Sequence, residues 1–420
     1  MIAGRDTRTA LRSLVGDEYV ADDLATFSDV HPASAVVVAP ATTEEVQGVM
    51  RIAVGAGAAV VPVGGDAAPR CGSDDSRPTI LVSLSRLDAI VEHAVDDLVL
   101  TVQPGLRFAD ARDAVGEHGQ VVPFSPPHAE RATLGGIVAC AAEGAVLSAY
   151  GSVRDQVLGM EVVHGDGRVS HSGGRVVKNV TGYDLCRLYT GSHGVLGIIT
   201  ELTLRLRPDE RSACRLRWRF DRLEDAWEAA RTLHHAQPYL FALHVVSSLG
   251  EPPNAAVVAT LRGEEDLVEA LGDACWALDL AAGERDVLAP DAVGEIDDSA
   301  PRTGTHLRLG VLPGAGDHLL QILRRRLPPG ADVVLDARTG ICDLRHEDPA
   351  WLDPVEEAAL GVDLEPLHAQ VDRPSDPGFH ERRLALFPST RPGGANIMRT
   401  LMTALDPHHV LNPGRYEVTR

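Results

Sequence analysis

Gly173 to Pro208 read GGRVVKNVTGYDLCRLYTGSHGVLGIITELTLRLRP. A glycine-punctuated helix runs here into a long strand through Gly191, Gly194 and Gly197. Glycine lacks a Cβ and tolerates positive φ, so such a segment can bring bare backbone close to a flat or phosphorylated group. Beyond Gly197, Leu202, Leu204 and Leu206 alternate with Thr203, Arg205 and Arg207, the period of a strand with one buried face.

Upstream, the same logic predicts a lead-in helix within 1–31, a strand over Val36–Ala39 stopped by Pro40, and a helix capped by Thr42 or Thr43. Glu44 and Glu45 suit that helix's first turn, and Val46, Val49, Met50 and Ala53 its buried face. Gly55 and Gly57 are expected to end it. A buried strand over Ala59–Val63 opens into Gly64-Gly65-Asp66. Hairpins are expected at Ala89–Val95 with Leu98–Val102, turned by Asp96-Asp97, and at Val157–Val163 with Arg168–His171. A helix is expected over Phe108–Gly116.

Character changes after Pro208. The pattern over 211–345 is strand (213–220), helix (222–235), strand (239–246), strand (255–261), helix (264–279), strand (305–312), helix (317–327), strand (331–337). Two βαβ-like halves predict an antiparallel sheet with helices on one side. Residues 346–392 read as irregular, and a last helix is expected at about 394–405. The fold class is α+β.

At 420 residues the chain exceeds one ordinary core, so two domains are expected. A net charge of −21 argues against nonspecific nucleic-acid binding, which needs a basic surface. The six cysteines stand apart, none in CxxC, which disfavours iron–sulfur and zinc frameworks within this chain. No transmembrane segment or secretory leader is expected, and a cytoplasmic location follows.

Two apparent motifs fail on context. GAGAAV at 55–60 lacks the third glycine of a dinucleotide fingerprint and sits between a helix and a following strand, the reverse of a Rossmann turn. TGSHG at 190–194 has Thr190 where a nucleophile elbow needs glycine. Gly64-Gly65-Asp66, directly after a strand, can present backbone N–H groups to a pyrophosphate or be an ordinary turn. Thr133-Leu134-Gly135-Gly136, before the small run Ile137–Ala142, suits phosphate or ribose binding or a tightly packed helix.

The ordered array PPH at 126–128, ATLGGIVAC at 132–140, GSVRDQVLG at 151–159 and GSHGVLGIITELTLRL at 191–206 resembles the FAD-linked oxidases of the vanillyl-alcohol-oxidase type, with a PCMH-type FAD-binding domain. Within them it is most similar to FAD-binding subunits of bacterial glycolate oxidase. The similarity is dense over 104–208, looser over 32–103, and returns in Leu411-Asn412-Pro413-Gly414-Arg415. The resemblance implies a two-subdomain FAD domain at 32–208, an antiparallel, ferredoxin-like cap at 209–392, and a C-terminal helix and NPGR segment at 393–420 returning to the FAD domain. It implies noncovalent FAD. Gly64, Gly65 and Asp66 would line the pyrophosphate, and Pro104 and Gly105 would border the cofactor. Thr133, Leu134, Gly135, Gly136 and Ala139 would meet phosphates or flavin. Gly151, Ser152, Val153 and Asp155 would hold the ribityl or isoalloxazine side, and Gly197 and Ile199 the adenine end. FAD is an anion, and neutral N–H donors can hold it without a basic patch.

The chain departs from that pattern in three places. GGDAAPRCG replaces a GGGT-like loop, and Asp66 would repel a pyrophosphate unless turned away. His193 stands where many relatives that oxidise D-2-hydroxy acids carry Glu. Their HxGDGNxH metal segment has only Asp336-Ala337-Arg338-Thr339-Gly340 as counterpart, so no metal is expected.

Oxidation of a 2-hydroxy acid needs a base for the hydroxyl proton and a cation for the carboxylate. Base candidates are His128, Tyr183 and His193; cation candidates are Lys178, Arg338 and Arg415. The structural reading outweighs the catalytic one for Lys178 and Tyr183, as support for the flavin domain, for His128, as a residue that shapes a loop, and for Arg415, as a docking anchor. The expectation is an FAD-dependent oxidoreductase acting on a small 2-hydroxy acid or alcohol, or relaying its electrons inside a glycolate-oxidase-like complex. A second flavoprotein and an iron–sulfur subunit are the expected partners, with peripheral attachment to the inner membrane through them. A stand-alone flavin alcohol oxidase and a flavin-free structural subunit are the alternatives.

Overall fold

Runs of valine start the first sheet. In the computed structural model, which describes residues 5–21, 35–65, 77–126, 128–174, 183–210, 212–248, 255–288, 305–348, 368–372 and 394–413, strands β1 (Val20–Ala21), β2 (Ala35–Val38), β3 (Ala59–Val63) and β4 (Thr79–Ser83) lie in the order β1-β2-β4-β3. Strands β2, β4 and β3 are parallel. Their near-continuous apolar composition is what parallel strands covered on both faces require. Helix α1 (Arg5–Val15) packs on helix α2 (Thr43–Ala56), where a Cβ on Gly48 would stand 2.6 Å from Leu14 Cδ2. Thr42 is the cap, its Oγ1 accepting the Glu45 N–H at 3.2 Å. Gly55 lies inside α2 rather than ending it; the stop is Gly57 alone, at φ 61°. The helix continues because nothing opposes helical φ at Gly55, whereas the left-handed turn at Gly57 reverses the chain.

The second sheet is antiparallel throughout. It comprises β5 (Ile90–Ala94), β6 (Val99–Val102), β8 (Val157–Val163), β9 (Val169–Gly173) and β10 (Ile198–Arg205) in the order β5-β6-β10-β8-β9. A separate pair joins β7 (Gln120–Val121) to β11 (Arg207–Pro208). The alternating leucines of β10 face a core with Leu100, Val102, Met160 and Val162, closed by α3 (Phe108–Gly116) and α4 (Leu134–Cys140). A distinct core joins the first sheet to α1 and α2.

The chain divides into two compact units: 1–143, 151–209 and 389–420 in one, 144–150 and 210–388 in the other. The second unit holds an eight-stranded antiparallel sheet among the described residues. Its strands are β12 (Ser212–Phe220), β13 (Ala242–Ser248), β14 (Ala255–Gly263), β15 (Glu284–Leu288), β16 (Thr305–Gly310), β17 (Asp332–Asp336), β18 (Ile341–His346) and β19 (His368–Asp372), ordered β15-β12-β14-β13-β17-β18-β16-β19. Helices Leu223–Ala236, Glu265–Trp276 and Gly316–Arg326 accompany it. The two expected halves thus share one sheet through the β13–β17 pairing. His368–Asp372, inside the stretch read as irregular, is a strand because β16 supplies its partner along its whole length.

Candidate functional site

Three loops of the first unit converge where β3, β6 and α4 meet. Phe108 N–H donates to Ala132 O at 2.8 Å, Leu134 N–H to Leu106 O at 2.9 Å, and Gly135 N–H to Pro104 O at 2.8 Å. Arg107 and Thr133 form a β-bridge. The Gly64-Gly65 loop closes over this pair. A Cβ on Gly65 would overlap the Arg131 carbonyl, one on Gly64 the Thr133 hydroxyl, and one on Gly105 the Leu84 carbonyl. A Cβ on Gly135 would stand 2.5 Å from Pro104 Cβ. These four glycines are therefore required by loop-on-loop packing.

Gly136 is different. Its would-be Cβ meets only Thr133 Oγ1, at 3.1 Å, and the residue is partly exposed. Thr133 Oγ1 also accepts the Gly136 N–H at 3.3 Å, capping α4. The Cβ contact is tight, but it is with one hydroxyl and not with another loop's backbone, so loop-on-loop packing does not account for the glycine there. The amides of Gly64 and Gly65 make no hydrogen bond among the described residues. A neutral donor set beside a bare helix start fits a phosphate-bearing cofactor such as FAD.

The far end of α4 is held by the segment after Tyr189. Gly191 N–H donates to Val138 O at 3.0 Å and His193 N–H to Ala139 O at 2.7 Å. Asn412 Nδ2 donates to His193 O at 2.7 Å, while Val60 N–H donates to Val410 O and Val60 O accepts the Asn412 N–H of the returning chain. His193 and His128 both adopt positive φ, 52° and 54°, a backbone conformation unusual outside glycine.

Gly151 turns at φ 85° into a short helix, Val153–Gln156. Asp155 Oδ2 accepts from both Ser152 N–H, at 3.2 Å, and Ser152 Oγ, at 2.7 Å. The Ser152 hydroxyl lowers the Asp155 carboxyl pKa, against burial. Val153, Leu134 and Ile199 lie in the hydrophobic core, and Gly197 has no Cβ because Val162 fills that space. Tyr183 is 93% exposed. Arg338 donates to the carbonyls of Leu240 and Phe241 in the second unit. Asp66, Lys178 and Arg415 lie outside the described residues.

The described cysteines, Cys140, Cys186, Cys214, Cys275 and Cys342, are free thiols. Burial pushes Cys275 up to about 11, which keeps it protonated and inert at neutral pH. Among the described residues no cluster of three or more His, Cys, Asp or Glu side chains could hold a metal ion. No helix among them is long and apolar enough to cross a membrane.

Sequence reading did not single out His244, a buried polar residue of the second unit. Its signal was strand alternation: His244 stands between Leu243 and Val245.

Residues 34–173 match the FAD binding domain family. The chain is 25% identical to glycolate oxidase subunit GlcD of Bacillus subtilis over 417 residues, spanning 90% of this chain and 88% of that protein. It is 26% identical to a D-lactate dehydrogenase of Archaeoglobus fulgidus, with 90% of each chain covered. A shorter match, 43% identical over 129 residues, covers 30% of this chain and 37% of glycolate oxidase subunit GlcE of Escherichia coli. Among solved structures, p-cresol methylhydroxylase with substrate bound superposes at TM-score 0.73 and 17% identity, over 98% of this chain and 96% of that one, a likeness of fold. Residues 34–173 thus match an FAD binding domain, and the chain is similar along most of its length to a glycolate oxidase subunit and a D-lactate dehydrogenase.

Proposed function

We propose that the chain, as an FAD-binding protein of this descent, is an oxidoreductase that acts on the CH–OH group of a small 2-hydroxy acid of the glycolate or D-lactate type. The observation that carries the reading is the convergence of Gly64-Gly65, Pro104-Gly105 and Thr133–Gly136 inside the FAD-binding domain. Bound there, the flavin would supply the two-electron acceptor. The chain's own contribution would be neutral: the Gly64 and Gly65 amides toward the pyrophosphate, and the bare backbone of Gly136 beside it. Gly105 and Gly135 would keep the loops close enough for those amides to converge. In this proposal the cofactor is noncovalent, and Asp66 turns its carboxylate away.

The second unit would serve as the substrate cap, a domain of ferredoxin-like fold. Enclosure suits a small acid, whose charge is recognised best where water is excluded. Electrons would leave to a second flavoprotein or an iron–sulfur subunit, since the six cysteines of this chain stand far apart in sequence, none in CxxC. The chain would be cytoplasmic and meet the inner membrane only through those partners. Resemblance to subunits named GlcD and GlcE supports this assembly.

The test is spectroscopic. Purified protein should carry the yellow flavin bands, release the cofactor in acid, and bleach anaerobically with one of a panel of 2-hydroxy acids. Colourless protein that also refuses added FAD would overturn the reading. Flavin that no hydroxy acid reduces would restrict the chain to electron relay.

A further inference from the structure

A sheet with helices on one face needs some other cover for the second. Trp218 of β12 meets Trp276 of the helix Glu265–Trp276 with ring centroids 4.9 Å apart, which marks the helix-covered face of the second unit's sheet. Side chains alternate along each strand. The register therefore puts Val246, Val258, Leu288 and Val334 on the opposite face, one each from β13, β14, β15 and β17. Val258 is nonetheless only 2% exposed. Ala145, itself buried, forms a small apolar cluster with these four residues and covers it.

Ala145 belongs to a segment that leaves the first unit and returns to it. Residues 144–150 group with the second unit, whereas Glu143 and Gly151 group with the first. The segment has order of its own, with Leu147 N–H donating to Gly144 O at 3.1 Å and Tyr150 N–H to Val146 O at 3.0 Å. At its far end the Tyr150 ring stands edge-on to Phe241 of the second unit, centroids 5.1 Å apart. Both roots are fixed in the first unit. Upstream, α4 closes in a left-handed turn at Ala141, φ 47°, and Ala142 N–H donates to Ile137 O at 2.9 Å. Downstream, Gly151 turns at φ 85°. Glu143 Oε1 accepts the Val153 N–H at 3.3 Å, so the two roots are bonded to each other. From Ala142 to Ala145 the chain takes three steps, about 11 Å at full extension, which leaves little slack.

Losing α4, or parting the two roots, frees the segment. The apolar patch then loses its cover, an exposure that the hydrophobic effect opposes. We infer that residues 144–150 are a coupling strap, through which the second unit keeps its full stability only while α4 and the helix Val153–Gln156 are folded in the first. The linkage is reciprocal, so whatever stabilises the first unit by binding it stabilises the second as well. This device goes beyond the function proposed above and does not depend on it.

Urea unfolding of the full apo chain tests the strap, followed by tryptophan fluorescence because all four tryptophans lie in the second unit. The perturbation is Gly135→Ala, confined to the first unit, where the added methyl meets Pro104. In the wild-type background it should lower the tryptophan midpoint by about 0.5 M urea or more. A second chain carries three glycines inserted between Glu143 and Gly144 and three more between Tyr150 and Gly151, which keeps the cover and slackens the tie. There Gly135→Ala should leave the tryptophan midpoint unmoved. A wild-type midpoint indifferent to Gly135→Ala overturns the inference, and so does an equal drop in the slackened chain. If the slackened chain fails to fold, Tyr150→Ala replaces it. That variant should lower the tryptophan midpoint by itself and shrink the further drop caused by Gly135→Ala; an undiminished drop refutes the strap. If Gly135→Ala itself fails to fold, Asn412→Ala, a milder loosening beside α4, takes its place in the same comparison. A chain that binds no FAD would fail the function proposed above and leave this result untouched.

Discussion

Neighbouring glycines in α4 carry different burdens. Gly135 is pinned by Pro104, whereas a Cβ on Gly136 would press only on the Thr133 hydroxyl, at 3.1 Å. Gly135→Ala should therefore destabilise the first unit by about 1–3 kcal/mol, the usual cost of overpacking. Gly136→Ala should cost the apo chain less than that, because its methyl presses only on the Thr133 hydroxyl and the better helix propensity of alanine offsets part of the strain. Yet it should lower FAD affinity, since the methyl intrudes where the backbone is bare for the cofactor. Denaturation of apo protein beside FAD titration separates the two, and a Gly136→Ala chain with unchanged FAD affinity would place the cofactor elsewhere. A second residue links structure to pH. Burial alone would raise the Asp343 carboxyl, but Arg308, His306 and Arg345 outweigh it and hold the group well below the usual carboxylate range. Its stabilisation is complete above the unfolded value of about 3.9 and is lost as pH falls toward the folded one. Asp343→Asn should thus be less stable than wild type at pH 7, and the gap should narrow as pH drops below about 4. All four tryptophans lie within 210–388, so their fluorescence in urea reports this unit.

Among elements, the returning C-terminal segment is tied more tightly than its length suggests. Val60 N–H donates to Val410 O and Asn412 N–H to Val60 O, both at 2.7 Å, and the buried Asp406 Oδ2 accepts the Leu411 N–H at 2.8 Å. Asn412 Nδ2 then fixes the His193 carbonyl beside α4. Asn412→Ala should cost about 1 kcal/mol, the usual net worth of one part-buried hydrogen bond. Flavin release should quicken with it, read as FAD fluorescence on dilution; unchanged release would mean that this tie does not support α4. Some elements were legible in sequence and some were not, for identifiable reasons. The leucines of β10, and Leu216, Trp218 and Phe220 between the arginines of β12, announce strands through local alternation. Strand β19 and the edge strand β15, ERDVL, carry little apolar signal and exist because a neighbour offers a ladder. At the candidate site, the glycines correctly signal close approach. Their sequence does not say that at Gly64, Gly65, Gly105 and Gly135 the thing approached is another loop of the same protein. Only the fold separates those from Gly136.

On the scale of the whole molecule, charge sets how an anionic cofactor must be met. The chain carries −21 overall, and FAD brings a pyrophosphate. At low ionic strength the two repel at long range, and a Debye length of about 30 Å at 0.01 M lets that repulsion act before contact. Near the site, binding on this account depends on neutral amides at Gly64 and Gly65 and on bare backbone at Gly136. Those contacts act at hydrogen-bond range, where salt screens little. Two consequences follow together. The association rate of FAD with apo protein should rise as salt increases from about 0.01 to 0.3 M, because screening removes the repulsion. The dissociation rate should change little, because the short-range contacts are uncharged on the protein side. Stopped-flow quenching of flavin fluorescence measures both. A basic cradle would give the opposite association trend, as lysine and arginine steer anions best in low salt. An association rate that falls steeply with salt would therefore show a cationic guide at the site, and the neutral-donor account would fail even if FAD binds.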